Sequence, residues 1–190
     1  MLVVAEEIQL PVQQARAGDS EAWDVLFKRY QLPLYVYVFE LVRDEQTSLD
    51  IVQETFINAA RHIGSLQADE KFGSWMFSIA HQKCVQQWRK NAKEKLWRGE
   101  NVQPETESEI LSIEHEDGPA ELLIRKEQEE EFMKLIASLP PPHRSVLLLY
   151  FVEDFSLEQI AAITETQLGT VKSRMHYAKR ALRKLLENQP

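Results

Sequence analysis

The sequence predicts an all-α protein built from two helical domains that a flexible acidic linker joins. Apolar residues recur three and four positions apart through long segments, which is the spacing of amphipathic helices. Only 6 of the 190 residues are glycine. Residues 35–39 are β-branched or aromatic and could form a strand, but no neighbouring segment offers a partner strand. We therefore interpret that run as a buried helix.

The distribution of charge predicts where the two domains end. The chain carries a formal net charge of −8. Residues 1–98 contain 12 basic and 13 acidic side chains, residues 128–190 contain 8 of each, and residues 99–127 contain 2 basic and 9 acidic ones. The middle segment also lacks a helical period, as expected of a linker. We expect domains at 1–98 and 128–190, either of which can be locally basic.

The first domain is expected to contain helices at 11–17, from Ala22 with an interruption at Pro33, and at 48–62. In the last of these, a predicted inner row consists of Leu49, Val52, Phe56 and Ala59 or Ala60. The remaining positions are polar and include Asp50, Gln53, Glu54, Asn58 and Arg61. These polar side chains form either a solvated surface or a docking surface for another protein, and periodicity does not separate the two.

A further helix is predicted from Trp75 to about Trp97, after a loop at 64–73. Its apolar row is Met76, Phe77, Ala80, Cys84 and Trp88. The opposite side holds Gln82, Gln86, Arg89, Lys90 and Lys93, and Trp75 lies near that polar side. Basic side chains neutralise phosphates, and aromatic rings stack on unpaired bases. Nucleic-acid binding and a solvated basic surface are both compatible with this pattern.

The stretch 156–186 predicts two helices around a tight turn, after a very apolar helix at 143–151 that follows three prolines. Ser156 and Gln159 match a capping box. An apolar row runs along the second helix through Leu168, Val171, Met175, Ala178, Leu182 and Leu185. Thr170, Ser173, Tyr177 and Arg180 fall on the other side. Six basic residues and no acidic one lie between Leu168 and Leu186, which favours insertion into the DNA major groove over simple packing.

Other functional classes lack support in the sequence. There is no glycine-rich phosphate loop, HExxH or GxSxG motif, and the five histidines are scattered. Cys84 is the only cysteine, so we expect a small core residue without a disulfide or thiolate metal site. No run of about 18 apolar residues occurs, and the N-terminus is too short and acidic for a signal peptide. We expect a soluble, cytoplasmic protein that is not an enzyme, needs no cofactor and does not insert into membranes.

Four segments of the chain, in order, resemble the bacterial RNA polymerase sigma factors of the sigma-70 class, specifically the extracytoplasmic-function group. They are ARAGDSEAWDVLFKRYQLPLYVYV, DIVQETFINAARHI, FGSWMFSIAHQKCVQQWRK and LPPPHRSVLLLYFVEDFSLEQIAAITETQLGTVKSRMHYAKRAL. The resemblance covers nearly the whole chain. It implies a four-helix domain similar to sigma region 2, the acidic linker at 99–127, and a helix-turn-helix domain similar to sigma region 4.

The resemblance also implies roles for matched positions. It places Asp50, Gln53, Glu54 and Phe56 against the clamp helices of the largest subunit of core RNA polymerase. It places Trp75, Gln82, Gln86, Arg89, Lys90 and Lys93 at the promoter −10 element. It places Thr170, Lys172, Ser173, Arg174, Tyr177 and Arg180 at the −35 element. The acidic linker is expected to thread the polymerase near the RNA exit path, and an anti-sigma factor is an expected partner.

Three positions depart from the family pattern. Glu165 occupies a turn position where glycine is frequent, which predicts a different turn, since glutamate in a left-handed conformation is costly. Tyr177 replaces a basic residue and Gln82 replaces an asparagine-like base reader, so different promoter preferences are expected. Two other functions stay open from the residues alone: a stand-alone helix-turn-helix regulator, for which no dimer helix is evident, and a sigma-like module that only sequesters partners.

Overall fold

A computed structural model of the chain describes residues 10–97 and 136–187, and these ranges are helical without a β-strand. The predicted all-α class is therefore confirmed. The chain divides into two compact units, 1–86 and 87–190. The predicted linker at 99–127 lies outside the described residues, and the two predicted boundaries, at 98/99 and 127/128, stay predictions.

The described residues contain seven α-helices. In the first part of the chain they are α1 (Val12–Arg16), α2 (Ser20–Val42), α3 (Glu45–His62) and α4 (Phe72–Trp97), with 3-10 turns at Ile63–Ser65 and Asp69–Lys71. In the second part they are α5 (Pro141–Phe151), α6 (Leu157–Ile163) and α7 (Leu168–Glu187).

Helix α2 is continuous through Pro33, so the predicted interruption is wrong. Its first turn is capped by Asp19, which accepts a hydrogen bond from the amide of Glu21 at 2.9 Å. A proline inside a helix removes one backbone hydrogen bond and costs about 3 kcal/mol. Burial of Leu26 before the proline and of Leu34 and Val38 after it holds both halves in the core and offsets that cost.

Helix α3 begins at Glu45, three residues before the predicted start, because Asp44 caps it. The Asp44 carboxylate accepts a hydrogen bond from the Thr47 amide at 2.8 Å, and the hydrogen bonds from Thr47 lower the pKa of Asp44. Capping by an aspartate side chain is typical of helix starts.

The predicted inner row of α3 is wrong at Leu49, which is 48% exposed. The buried row consists of Ser48, Ile51, Val52, Thr55 and Ala59. The hydroxyls of Ser48 and Thr55 donate to the carbonyl oxygens of Asp44 and Ile51 at 2.6 and 2.7 Å. These two polar side chains can be buried because their hydrogen-bonding groups are satisfied within the helix.

Helix α4 packs against α2 through aromatic contacts. Tyr37 lies edge-on to Phe77 with ring centroids 5.4 Å apart, and Phe72 contacts Tyr30 at 5.5 Å. A Cβ on Gly73 would lie 3.0 Å from the Tyr30 hydroxyl, so glycine permits this close approach. The predicted row is buried at Met76, Phe77, Ala80 and Cys84, whereas its last member, Trp88, is only half-buried. Cys84 is fully buried, which confirms the expected core residue, and this burial raises the pKa of its thiol to about 12.

In the second unit, α5 starts with Pro141 and Pro142, two residues before the predicted start at His143, and buries Val146 to Leu149. Arg144 is also buried, and its Nη2 donates to the carbonyl oxygens of Ala137 and Leu139, both at 2.7 Å. This guanidinium group satisfies carbonyls at a helix end that would otherwise lack partners. It thereby ties residues 136–139 to α5, while the predicted helix at 120–135 lies outside the described residues.

Helices α6 and α7 form the predicted helix-turn-helix. Ser156 and Gln159 make the predicted capping box, with backbone-to-side-chain distances of 2.8 and 3.2 Å. Val171, Met175, Ala178 and Leu182 are buried, Leu168 is half-buried, and the side chain of Leu185 lies outside the described residues.

Glu165, in the turn between α6 and α7, has φ +51°. The expectation of a different turn is therefore wrong, because the glutamate itself adopts the left-handed conformation. The amide of Thr166 donates to the Ala161 carbonyl at 3.0 Å, and the hydroxyls of Thr164 and Thr166 lie 2.9 Å apart. These hydrogen bonds hold the turn against the steric cost of the Cβ in this region.

We predict that replacing Glu165 with Gly gives a more stable helix-turn-helix than replacing it with Ala. Both substitutions remove the carboxylate, but only glycine also removes the Cβ that is crowded at positive φ. The difference should be about 1 kcal/mol, measured by hydrogen exchange of the α6 and α7 amides in the full-length chain. Equal protection in the two variants would contradict left-handed strain at this position.

Candidate nucleic-acid interface

The outward side of α3 combines polar and aliphatic side chains, and we call it the α3 outer face. Asp50, Gln53 and Glu54 are all exposed. Leu49 and Ile57 are exposed beside them, at 48% and 42%, although the helical period predicts a buried position for Leu49 and does not single out Ile57. At about 100° per residue, these five positions span an arc of about 140°. Such a mixture of aliphatic and charged groups is typical of a protein-binding surface.

Phe56 differs from the other predicted residues of α3 because it is half-buried. Its ring contacts the ring of Phe27 on α2, with centroids 4.9 Å apart. Phe27 is itself 44% exposed. The two rings therefore form the edge between the α3 outer face and α2.

Glu54 forms an ion pair with Lys83, which connects α3 to α4. The Glu54 side chain is 61% exposed, whereas that of Lys83 is 16% exposed. A pair with one exposed partner contributes at most about 1 kcal/mol. The fold therefore does not depend on Glu54, and its carboxylate lies where a partner protein can reach it. Sequence reasoning missed this pair because its members are 29 residues apart.

The polar side of α4 faces outward as predicted. Gln82, Gln86, Arg89, Lys90 and Lys93 are all exposed. Trp75 is half-buried, and its ring contacts Phe72 at a centroid distance of 6.0 Å. Trp75 thus packs on one side and is not fully presented to solvent.

The rotation of α4 is set by a buried hydrogen bond next to Gln82. The Tyr37 hydroxyl lies 2.8 Å from Nδ1 of His81, and both residues are buried. Because successive side chains on a helix diverge by about 100°, burying His81 turns Gln82 toward solvent. A buried polar pair of this kind disfavours other rotations, since breaking it leaves unsatisfied groups.

The segment before α4 is anchored by Arg16 at the end of α1. Its guanidinium group donates to the carbonyl of Leu66 at 3.2 Å and pairs with Asp69 at 2.8 Å. A weaker contact reaches the Ile63 carbonyl at 3.5 Å. These contacts hold the loop that precedes Trp75. No local pattern in the sequence indicates this role of Arg16, because its partners lie about 50 residues away in the chain.

On α7, a polar arc of about 80° lies opposite the buried row. It consists of Thr170, Ser173, Tyr177 and Arg180. Arg180 is exposed and the other three are half-buried. Lys172 is exposed but points away from this arc, and Arg174 lies half-buried near its other edge. The Ser173 hydroxyl donates to the Gly169 carbonyl at 3.0 Å. The helix therefore presents a polar strip with cations along its margins.

Tyr177 is contacted by two imidazole rings. His143, on α5, stacks on it with centroids 6.2 Å apart and an interplanar angle of 26°. His176 lies edge-on at 5.8 Å and 77°. Burial, and to a lesser extent the charge of Arg174, lower the pKa of His143. His143 was among the scattered histidines in the sequence, which carries no local sign of this contact.

The described residues contain no group of three or more His, Cys, Asp or Glu side chains that could hold a metal ion. Among the same residues, none of the helices combines the length and the apolar character needed to cross a membrane.

We predict that the stability of the chain falls more steeply between pH 7 and pH 5 for the wild type than for the His143→Gln variant. The unfolded chain takes up a proton on His143 near its ordinary pKa of about 6.5, whereas the folded chain resists it. Stability is therefore lost as pH falls through about 6.5 toward the lower folded-state pKa. Urea unfolding followed by circular dichroism at several pH values measures the difference, and parallel curves would contradict it.

Two family models match the chain: Sigma-70 region 2 over residues 26–94, and Sigma-70, region 4 over residues 129–182. These ranges contain every residue of the α3 outer face, of the polar side of α4 and of the polar strip on α7.

Curated relatives align over nearly the full length. The RNA polymerase sigma-H factor of Pseudomonas aeruginosa is 29% identical, over 98% of this chain and 97% of that protein. The ECF RNA polymerase sigma factor SigW of Bacillus subtilis is 28% identical, over 95% of this chain and 97% of that protein. The ECF RNA polymerase sigma-E factor of Escherichia coli K12 is 29% identical, over 92% and 91%.

Two solved structures share the fold. CnrH, in complex with the cytosolic domain of CnrY, has a TM-score of 0.63 at 20% identity and covers 94% of this chain and 96% of that chain. The sigma factor RpoE of Bartonella quintana, in complex with the anti-sigma factor NepR, has a TM-score of 0.62 at 23% identity and covers 87% and 98%. With both family regions matched in order, the chain belongs to the sigma-70 family of RNA polymerase sigma factors, in the extracytoplasmic-function group, and is a transcription initiation factor and not an enzyme.

Proposed function

We propose that this sigma factor binds core RNA polymerase through the α3 outer face, contacts the promoter −10 element through α4 and contacts the −35 element through α7. One observation carries the proposal: the charged and amide side chains assigned to these contacts on α3 and α4 are all exposed. On the same helices, a set of apolar side chains is buried: Ile51, Val52 and Ala59 on α3, and Met76, Phe77, Ala80 and Cys84 on α4. The chain therefore has preformed polar surfaces in the matched family regions.

The α3 outer face suits a helical partner. Asp50 and Glu54 supply negative charge, Gln53 supplies an amide, and Leu49 and Ile57 supply apolar area. We assign the clamp helices of the largest polymerase subunit as the partner, with Phe56 at the edge of the contact. Apolar groups surrounded by polar ones exclude water from the centre of an interface, while the charges favour the correct partner.

The two DNA-facing helices divide positioning from base reading. Lysines and arginines such as Arg89, Lys93 and Arg180 contact phosphates, while Gln82, Gln86, Thr170 and Ser173 reach base edges. Trp75 supports the −10 contact from a half-buried position.

The proposed organisation assigns 1–98 to polymerase and −10 binding, 99–127 to the acidic linker, and 128–190 to −35 binding. The linker contains nine acidic and two basic residues. Its negative charge repels DNA but suits a basic channel of the polymerase. We assign a cytoplasmic location, where polymerase and promoter are found, and an anti-sigma protein as a regulatory partner.

We predict that replacing both Asp50 and Glu54 with Ala weakens binding to core polymerase at least about tenfold, equivalent to about 1.4 kcal/mol. The substitutions remove two exposed carboxylates from the proposed interface without removing core packing. A titration of core polymerase with fluorescently labelled chain, at fixed salt and without DNA, measures the change. Circular dichroism should show an unchanged helix content.

Lys83→Ala provides the matched control, because it breaks the Glu54–Lys83 ion pair but leaves both carboxylates in place. This variant should bind polymerase as the wild type does. Unchanged binding by the Asp50, Glu54 double variant would remove the α3 outer face from the proposed interface. Equal weakening by Lys83→Ala would assign the effect to the ion pair instead.

We also predict that promoter-specific binding requires the polymerase. Because the free chain has a net charge of −8, duplex DNA repels it over long distances. Run-off transcription from a promoter library, with core polymerase alone and with the sigma factor added, should give specific transcripts only in the second case. Tight and specific binding of a promoter duplex by the isolated chain at physiological salt would favour a stand-alone regulator.

A further inference from the structure

The most unusual contact on the DNA-facing side of α7 is the stack between His143 and Tyr177. Tyr177 stands within the polar arc of α7, one helical turn beyond Ser173 and one before Arg180. His143 comes from a different helix, α5, and its ring lies nearly parallel to that of Tyr177 at 26°. Interactions of this type between aromatic rings contribute beyond the area that they bury.

The backbone that carries His143 is held firmly. Pro141 and Pro142 fix φ in the first turn of α5, and the His143 amide donates to the Pro140 carbonyl at 3.0 Å. Arg144 follows directly and is buried with two hydrogen bonds at 2.7 Å. His143 is thus a rigid support on which the tyrosine ring rests.

His176 restricts the ring from another direction, edge-on at 5.8 Å. A tyrosine side chain has only two rotatable torsions, so holding it costs little entropy. With imidazoles on two sides, the half-buried Tyr177 ring is restricted in the rotations open to it within the polar arc of α7.

The chemistry of this surface differs from that of a cation. An arginine or lysine at a recognition position favours guanine O6 and N7 or a phosphate, whereas an apolar group contacts the methyl group of thymine. Burial lowers the pKa of His143, which favours the neutral form of this imidazole at pH 7. It adds no positive charge where Arg174 and Arg180 already supply it.

We propose that His143 is a positioning residue that holds the Tyr177 ring at the DNA-facing side of α7, and that the held ring gives the protein a preference for thymine at one position of the −35 element. This inference rests on the proposed function, because it requires α7 to read that element.

The test is transcription from a promoter library whose −35 element is fully randomised, with holoenzyme assembled from core polymerase and each full-length variant. Sequencing of the transcribed templates gives the base preference at every position. The wild type should prefer thymine roughly fourfold at one position, the factor expected for burying one methyl group. Tyr177→Ala should lose this preference at the same position.

Two variants of His143 separate positioning from folding. His143→Asn removes the stacking ring and should lower the thymine preference to less than twofold, while His143→Phe keeps a stacking ring and should retain it. A variant that merely destabilises the domain lowers transcription from all templates alike and leaves the base preference intact.

Retention of the wild-type preference by His143→Asn, or a preference for another base at the position that Tyr177 controls, would overturn the inference. In both cases the −35 element is still read, so the proposed function stands. If the wild type shows no dependence on any −35 position, the proposed function of α7 fails, and the inference fails with it.

Discussion

Burial of one apolar row per helix is the constraint on which the rest of this structure depends. On α4 the row contains Met76, Phe77, Ala80 and Cys84, and on α7 it contains Val171, Met175, Ala178 and Leu182. Each large apolar side chain contributes about 1.5–3 kcal/mol when buried. Turning either helix by one residue would expose part of its row and bury polar groups, so the core dictates which polar side chains face outward.

A second set of contacts makes these surfaces rigid. The hydrogen bond between Tyr37 and His81 fixes the rotation of α4, and Arg16 holds the loop before Trp75. On α7, the stack on His143 holds Tyr177. Rigid side chains lose less entropy on binding than mobile ones. Under the proposed function, such rigidity matters for a chain whose net charge of −8 opposes DNA. Attachment to a common partner makes the second contact effectively intramolecular, which strengthens the pair without new contacts.

The two departures from the family pattern within the helix-turn-helix have different consequences. Glu165 adopts the left-handed conformation, which is the conformation that a glycine permits at no steric cost. The change from a basic residue to Tyr177 alters the surface itself. Differences in promoter preference are therefore expected from side-chain chemistry on α7 and not from a displaced backbone.

Local patterns were sufficient to predict much of the architecture. The all-α class, the capping box of Ser156 and Gln159, the apolar helix that follows Pro140 and the buried row of α7 depend on neighbours within about one or two helical turns. The exposed positions of Gln82, Gln86 and Arg89 follow from the same helical period. The assignment of these positions to promoter contacts came from the family resemblance and not from periodicity.

What the sequence by itself determined was the helical period, the start of α6 at the capping box of Ser156 and Gln159, and the separation of acidic from basic segments, because these properties depend on nearby residues in the chain. Only the tertiary structure decided that Ser48 and Thr55 are buried while Leu49 is exposed, and that α2 continues through Pro33. It alone also decided that Glu54 pairs with Lys83, that Arg16 pairs with Asp69 and that His143 stacks on Tyr177. Those contacts join residues 29 to 53 positions apart, and packing between helices, which no local pattern encodes, brings them together.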